Sequence, residues 1–322
     1  MKRTIPTALI AVSATALALS GCSSSADSAE TDGVSIVAST NVYGDIAAAI
    51  AGDAADVTSI IDSSVQDPHS YEASAQDRLA VSKADIVIQN GGGYDGFIDS
   101  LLGDADPIVL NASEISGLMP EAEGHEHEHE GEHDEDGAHG HEGHNHIEGF
   151  NEHVWYSLDA MNHVAEHLAE ELSELDPDNA STFEDNYDEF SAELESAHES
   201  LHELGESATG ASVLITEPVP LYLLEDAGLV NETPAEFSEA VEEGTDVPAA
   251  VIQEMLELVQ SGDIAMLAYN EQTSGPITEE VKDAAESAGV PVVSFSETLP
   301  DGEGYVSWMT ANIEALSEVF TA

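Results

Sequence analysis

Residues 176–205 read DPDNASTFEDNYDEFSAELESAHESLHELG, and the arrangement of the rest of the chain follows from this stretch. Its apolar residues recur at intervals of three and four, the period of one helix face. They are Ala180, Phe183, Tyr187, Phe190, Leu194, Ala197, Leu201 and Leu204. Asp176-Pro177 is a helix start signal and Gly205 is a stop signal. We therefore predict one helix over 178–204, about 42 Å long at 1.5 Å per residue.

On both sides of this helix, short apolar runs alternate with segments long enough for helices. The runs are Ser35–Ala38, Val57–Ile61, Asp85–Gln89, Pro107–Leu110, Ser212–Thr216, Ile264–Tyr269 and Pro291–Phe295. Continuous apolar strands separated by helices are typical of buried parallel sheets. A coiled coil would show the same helical stripe, but these flanks favour packing of the helix onto two lobes. We predict an α/β protein with lobes at 34–177 and 205–322, joined by the long helix and moving little against each other.

The charge of the chain excludes some classes of partner. Asp and Glu number 66 against 5 Lys and Arg, which gives a net charge of −61. Nucleic acids and anionic membrane surfaces would be repelled by such a protein.

The N-terminus carries the pattern of a secreted protein. Lys2 and Arg3 precede an uncharged run from Thr4 to Gly21, so we predict a signal peptide over 1–21. Leu19-Ser20-Gly21-Cys22 resembles the lipobox of bacterial lipoproteins; the alternative is a chance cysteine near a cleavage site. We expect an extracytoplasmic protein, lipidated at Cys22 and anchored to the membrane through a flexible tether over 22–33. Cys22 is the one cysteine in the chain, so metal chemistry would need His and carboxylates.

Residues 121–148 form a low-complexity segment, EAEGHEHEHEGEHDEDGAHGHEGHNHIE. Its composition predicts a disordered loop whose imidazoles bind zinc, nickel or copper weakly; the alternative is a merely solvating acidic loop. These histidines are His125, His127, His129, His133, His139, His141, His144 and His146. Two H-E-x-x-H matches within it lack the apolar helix face of zinc proteases, so we interpret them as coincidence.

Histidines outside this loop have different settings. His69 follows a predicted strand in Asp67-Pro68-His69-Ser70-Tyr71, where ligands of parallel sheets gather. His153 lies in Asn151-Glu152-His153-Val154-Trp155, where the polar loop ends. The i,i+4 pairs His163/His167 and His198/His202 lie on Glu-rich helices, and we interpret them as solvated positions.

These features resemble one family, the substrate-binding lipoproteins of bacterial ABC transporters for zinc and manganese. The motifs that carry the resemblance occur in the family's order: D-P-H-x-Y, the His-acid loop, N-x-H-x-W, the long helix, Glu297–Pro300 and Tyr305–Met309. The resemblance implies a monomeric binding protein without enzymatic activity, which delivers its ion to a permease served by a cytoplasmic ATPase. It also implies a metal held between the lobes by two side chains from each.

Carried over to this chain, the ligands are His69, His153, Glu217 and Glu297. Many zinc members have His where Glu217 stands, and members usually have Asp where Glu297 stands. Glu271 is a possible additional ligand or a partner of the ligands. Two His and two acids resemble the manganese branch, whereas the His-rich loop is a feature of the zinc branch.

We therefore favour Zn²⁺, with Mn²⁺ or Fe²⁺ as the alternative. A secreted zinc metallohydrolase is a further alternative, but catalytic zinc keeps one position open to water. Another alternative is a metal-independent adhesin, which would bind no metal tightly once the 121–148 loop is removed.

Overall fold

The computed structural model of the chain describes residues 33–321, except 64, 65, 67, 69, 70, 121–146 and 148. The predicted signal peptide, Cys22 and nearly all of the tether lie outside the described residues. So do His69 and all eight histidines of the 121–148 loop.

The N-terminal lobe is built on a parallel sheet with strand order β2-β1-β3-β4. Its strands are β1 (Val34–Thr40), β2 (Ala55–Ile61), β3 (Ile86–Gln89) and β4 (Ile108–Asn111). Its helices are α1 (Asn41–Ala51), α2 (Ala75–Val81), α3 (Phe97–Leu102), α4 (Ala112–Ile115) and α5 (Leu158–Leu175). In the centre of the sheet, Ile36 of β1 pairs with Val57 on one side and Ile86 on the other. All three positions belong to the apolar runs from which the sheet was predicted.

The C-terminal lobe repeats this design with the strand order β6-β5-β7-β8. Its strands are β5 (Ser212–Ile215), β6 (Val230–Asn231), β7 (Ile264–Asn270) and β8 (Val292–Phe295). Its helices are α7 (Leu221–Asp226), α8 (Ala235–Glu242), α9 (Ala249–Gln260), α10 (Pro276–Ala288) and α11 (Tyr305–Phe320). Two parallel four-stranded sheets with helices confirm the predicted α/β class.

The long helix α6 runs from Ala180 to Ala208, so it starts and ends later than the sequence predicts. Asp176 instead closes α5, because its backbone N–H donates to the Leu172 carbonyl oxygen. Gly205 lies inside α6 and faces Ala227: an added Cβ would lie 3.4 Å from the Ala227 carbonyl oxygen, an ordinary contact distance. The helix contacts α1 and α5 of one lobe and α7 and α11 of the other.

One buried apolar core continues through both lobes along α6. Phe190 of α6 stacks on Tyr305 at the start of α11, with ring centroids 6.2 Å apart. Within the described part of the chain, no helix has both the length and the apolar character needed to cross a membrane.

Candidate metal centre

Two of the predicted ligands, Glu217 and Glu297, lie side by side at the carboxyl ends of the second sheet. Glu217 follows β5, Glu297 follows β8, and both are buried, with exposed fractions of 3% and 1%. The side-chain Nδ2 of Asn270, the last residue of β7, donates to Glu217 Oε2 at 2.6 Å and to Glu297 Oε1 at 2.9 Å. Three neighbouring strand ends therefore hold two carboxylates within reach of one amide group.

Tyr94 joins this pair to the N-terminal lobe. It follows β3, and its hydroxyl donates to Glu297 Oε2 at 3.1 Å. Burial and the negative charge of Glu297 raise the pKa of Tyr94 well above its ordinary value, so the hydroxyl keeps its proton and remains a donor. The Tyr94 ring also packs edge-on against His153, with centroids 5.8 Å apart. One tyrosine thus separates the predicted ligands of the two lobes.

His153 is 1% exposed, and Asn151 fixes its ring. Asn151 Oδ1 lies 2.7 Å from His153 Nδ1 and accepts from the His153 backbone N–H at 3.1 Å. Asn151 Nδ2 donates to the Pro218 carbonyl oxygen at 3.0 Å, which identifies the amide nitrogen. Because Oδ1 can only accept, Nδ1 carries the proton, and Nε2 has the lone pair that a metal needs.

The loop that carries His153 is anchored on the end of β3. Asn90 Nδ2 donates to the Glu152 carbonyl oxygen at 2.9 Å, and the Tyr43 hydroxyl donates to Asn90 Oδ1. The buried Asp95 carboxylate accepts from the backbone N–H groups of Asn90 and Gly91, at 2.6 and 2.9 Å. Gly91, Gly92 and Gly93 all have positive φ. The triple glycine therefore makes a turn in the N-terminal lobe just before Tyr94.

Two further acids, which sequence reasoning did not select, face His153. Glu152 is buried, and the Glu242 Oε1 lies 3.7 Å from His153 Nδ1. One ligand atom from each of these three residues lies within 4.8 Å of the others. Burial, followed by the negative charges of Glu152, Glu217 and Glu297, raises the pKa of Glu242 to about 9. Four carboxylates therefore share one buried region.

Other residues selected from the sequence do not join this cluster. Glu271 is exposed and accepts a hydrogen bond from Ser294 Oγ at 2.7 Å. His163 and His167 are exposed on α5. His198 lies on α6, 3.1 Å from a carboxylate oxygen of Asp226, away from the cluster.

The cluster has the chemistry of a cation site. The strong bases among the described residues are Arg78, Lys83 and Lys282, and none of them forms an ion pair with Glu242. The Lys282 Nζ instead lies 4.4 Å from the centroid of the Tyr269 ring. Buried carboxylates are costly unless a positive charge compensates them. Carboxylates beside imidazole suit a small divalent transition-metal ion.

Comparison with known proteins gives the family. A sequence profile described as ZnuA, the zinc-uptake complex component A, periplasmic, matches residues 36–319. The chain belongs to the ZnuA family. This membership confirms the resemblance drawn from the motifs, and it agrees with a binding protein rather than an enzyme.

Two curated relatives illustrate the range of the family. The chain is 29% identical over 280 residues to the zinc-binding lipoprotein AdcA of Streptococcus pneumoniae, covering 84% of this chain and 52% of AdcA. It is 25% identical over 325 residues to the manganese ABC transporter substrate-binding lipoprotein scaA of Streptococcus gordonii, covering 93% and 94%. The chain therefore spans about half the length of AdcA, at 52%, and nearly all of scaA, at 94%.

Solved structures confirm the two-lobe fold of the ZnuA family for this chain. A crystal structure of ZnuA matches with a TM-score of 0.68 at 21% identity, covering 90% of this chain and 99% of that one. The periplasmic zinc-binding protein TroA from Treponema pallidum matches with a TM-score of 0.68 at 18% identity, covering 89% and 99%.

Proposed function

We propose that this chain is an extracytoplasmic substrate-binding protein that captures Zn²⁺ between its lobes and delivers it to an ABC permease for import. The observation that carries the proposal is the pairing of Glu217 and Glu297 on Asn270 Nδ2, with Tyr94 linking Glu297 to the His153 side of the cleft. A buried site made by both lobes suits capture and release of an ion. The named uptake function of the ZnuA family supports the same assignment.

The proposed ligands are His69 and His153 from one lobe, with Glu217 and Glu297 from the other. Two neutral imidazoles and two carboxylates neutralise a divalent ion, and each carboxylate can bind through one or two oxygens. His69 belongs to this set through the family motif alone. Mn²⁺ or Fe²⁺ is the alternative cargo, since relatives of similar identity are named for manganese and iron.

The N-terminal motif supports a proposal for the position of the protein in the cell. We propose a monomer held on the outer face of the cytoplasmic membrane by lipid on Cys22, working with a permease and its ATPase. Relatives named as lipoproteins support this anchor. Cys22→Ser is expected to release or misprocess the protein, which cell fractionation measures. Normal processing and retention of the variant at the membrane would argue against the lipobox.

Single substitutions test the ligand set. Each proposed ligand is replaced by alanine in turn, and each variant is expected to bind Zn²⁺ about 10- to 100-fold more weakly, measured by competition with a chelator. The variants are His69→Ala, His153→Ala, Glu217→Ala and Glu297→Ala. His163→Ala and Glu271→Ala are the controls, because both residues are exposed.

If a variant binds Zn²⁺ as tightly as these controls, the substituted residue is not a ligand. If all four variants do so, the site is elsewhere. The same titration with Mn²⁺ decides the cargo, since tighter Mn²⁺ than Zn²⁺ binding would assign the protein to manganese.

A further inference from the structure

Glu242 occupies an unusual place for a residue outside the predicted ligand set. It is the last residue of α8 in the C-terminal lobe, yet its carboxylate reaches His153 of the other lobe, 3.7 Å from Nδ1. Its side chain is 10% exposed. A long acidic side chain therefore points into the protein instead of towards water.

The carboxylate of Glu242 differs from those of Glu217 and Glu297 in how it is held. Glu217 accepts from Asn270 and Thr273, and Glu297 accepts from Asn270 and Tyr94. By contrast, the buried Glu242 Oε1 makes no hydrogen bond with any described residue. A buried oxygen without a donor indicates that a partner is missing from this position.

A cation fits that missing partner better than a hydrogen-bond donor does. Glu242 lies within electrostatic reach of Glu152, Glu217 and Glu297, so like charges surround it. Ligand atoms of Glu152, His153 and Glu242 lie within 4.8 Å of one another. Two atoms bound to one zinc ion lie up to about 4.4 Å apart, given bonds of ~2.0–2.2 Å, so the side chains must move to bring the three atoms onto one ion.

We propose that Glu242 is a further ligand of the captured ion, reaching it from α8 as a third carboxylate. The proposal rests on the proposed function and adds a residue to its site. Asn151 holds the proton of His153 on Nδ1, so the ion binds at Nε2. To ligate the same ion, the Glu242 carboxylate must leave its position 3.7 Å from Nδ1 by a rotamer change.

The additional ligand has a consequence for selectivity. Two imidazoles and three carboxylates give at least five donor groups, more than the tetrahedral set that zinc usually takes in structural sites. Ions bound through oxygen at higher coordination numbers gain more from a third carboxylate. Glu242 therefore favours Mn²⁺ relative to Zn²⁺, and its removal shifts selectivity towards zinc.

The test compares Glu242→Gln with Glu243→Gln, a control that removes the same charge from the exposed next residue. Chelator competition measures the affinities for Zn²⁺ and Mn²⁺, and X-ray absorption counts the oxygen and nitrogen neighbours of each bound ion. Glu242→Gln is expected to weaken Mn²⁺ binding about 10- to 100-fold, to weaken Zn²⁺ binding less, and to remove one neighbour. Glu243→Gln is expected to bind like wild type.

A third variant separates ligation from simple attraction. Glu242→Asp keeps the charge but shortens the side chain, so it is expected to lose affinity as well. Wild-type affinity in Glu242→Asp, or equal affinities in Glu242→Gln and Glu243→Gln, would overturn the proposal. Loss of binding through unfolding is recognised from a fall in the melting temperature measured without metal. If the wild-type protein itself retains no ion, the proposed function is wrong, and this result is distinct from a failure of the Glu242 proposal alone.

Discussion

At the scale of single residues, Asn151 connects the two halves of the proposed site. Its Oδ1 accepts from His153 Nδ1, while its Nδ2 donates to the carbonyl oxygen of Pro218, the residue after Glu217. Its own carbonyl oxygen accepts from the Tyr222 hydroxyl at 2.8 Å. Asn151 thus sets the tautomer of one proposed ligand and the position of another.

Removal of Asn151 is therefore expected to weaken binding without removing a ligand. Asn151→Ala should lower Zn²⁺ affinity about 10- to 100-fold, because partners that orient metal ligands typically have effects of this size. Nitrogen NMR of the His153 ring should show loss of the single Nδ1-protonated tautomer. The matched control is Asn186→Ala, which removes a side-chain hydrogen bond to the Ile50 carbonyl oxygen on the other side of the lobe. Equal affinities in the two variants would contradict this role.

The sequence predicted part of this residue-level picture. His153, Glu217 and Glu297 were selected because they follow the motifs and strand ends of a known family, and the structure buries all three. Glu152 had a signal, since it adjoins His153 in the motif. Glu242 had none: it ends an amphipathic helix beside Glu243, and nothing local distinguishes the buried glutamate from the exposed one.

At the scale of elements, the predictions were most accurate where burial is continuous. Seven of the eight strands in the described part of the chain match predicted runs, because runs such as 264–269 are apolar on both faces. The exception is β6, whose two residues, Val230–Asn231, are too short for any periodic pattern. This short strand forms because it pairs with the edge of β5, so it depends on tertiary contacts and not on the local sequence.

The ends of α6 show a similar limit. Gly205 is a stop signal in isolation, but here the helix continues to Ala208 and the Thr209 backbone N–H caps the Gly205 carbonyl oxygen at 3.0 Å. Gly205 packs against Ala227, whose carbonyl oxygen would lie 3.4 Å from an added Cβ, an ordinary contact distance. Contacts between distant elements therefore override the local signal.

At the scale of the whole molecule, the lobes are joined by more than the long helix. The Tyr156 hydroxyl donates to the Ser296 carbonyl oxygen, and the Tyr305 hydroxyl donates to the Trp155 carbonyl oxygen, both at 2.7 Å. Asn41 exchanges two hydrogen bonds with the backbone of Leu299. These bonds and the shared core favour small adjustments around an ion over a wide swing of the lobes.

The net charge of −61 also acts at this scale. A strongly acidic surface raises the local concentration of cations near the cleft. Salt weakens this attraction, because screening acts over about 8–10 Å at physiological ionic strength. Salt screens the buried side chains of the proposed site much less, so we expect the surface charge to affect the capture of an ion more than its retention.

One ion is expected to bind between the lobes and to take ligands from both. The most direct test is a crystal structure of the chain without residues 121–148, loaded with Zn²⁺ and dialysed, with anomalous data collected at the zinc edge. We predict one strong peak about 2.0–2.2 Å from His153 Nε2 and from carboxylate oxygens of Glu217 and Glu297. No peak in the cleft, or a peak held by residues of one lobe alone, would contradict the account.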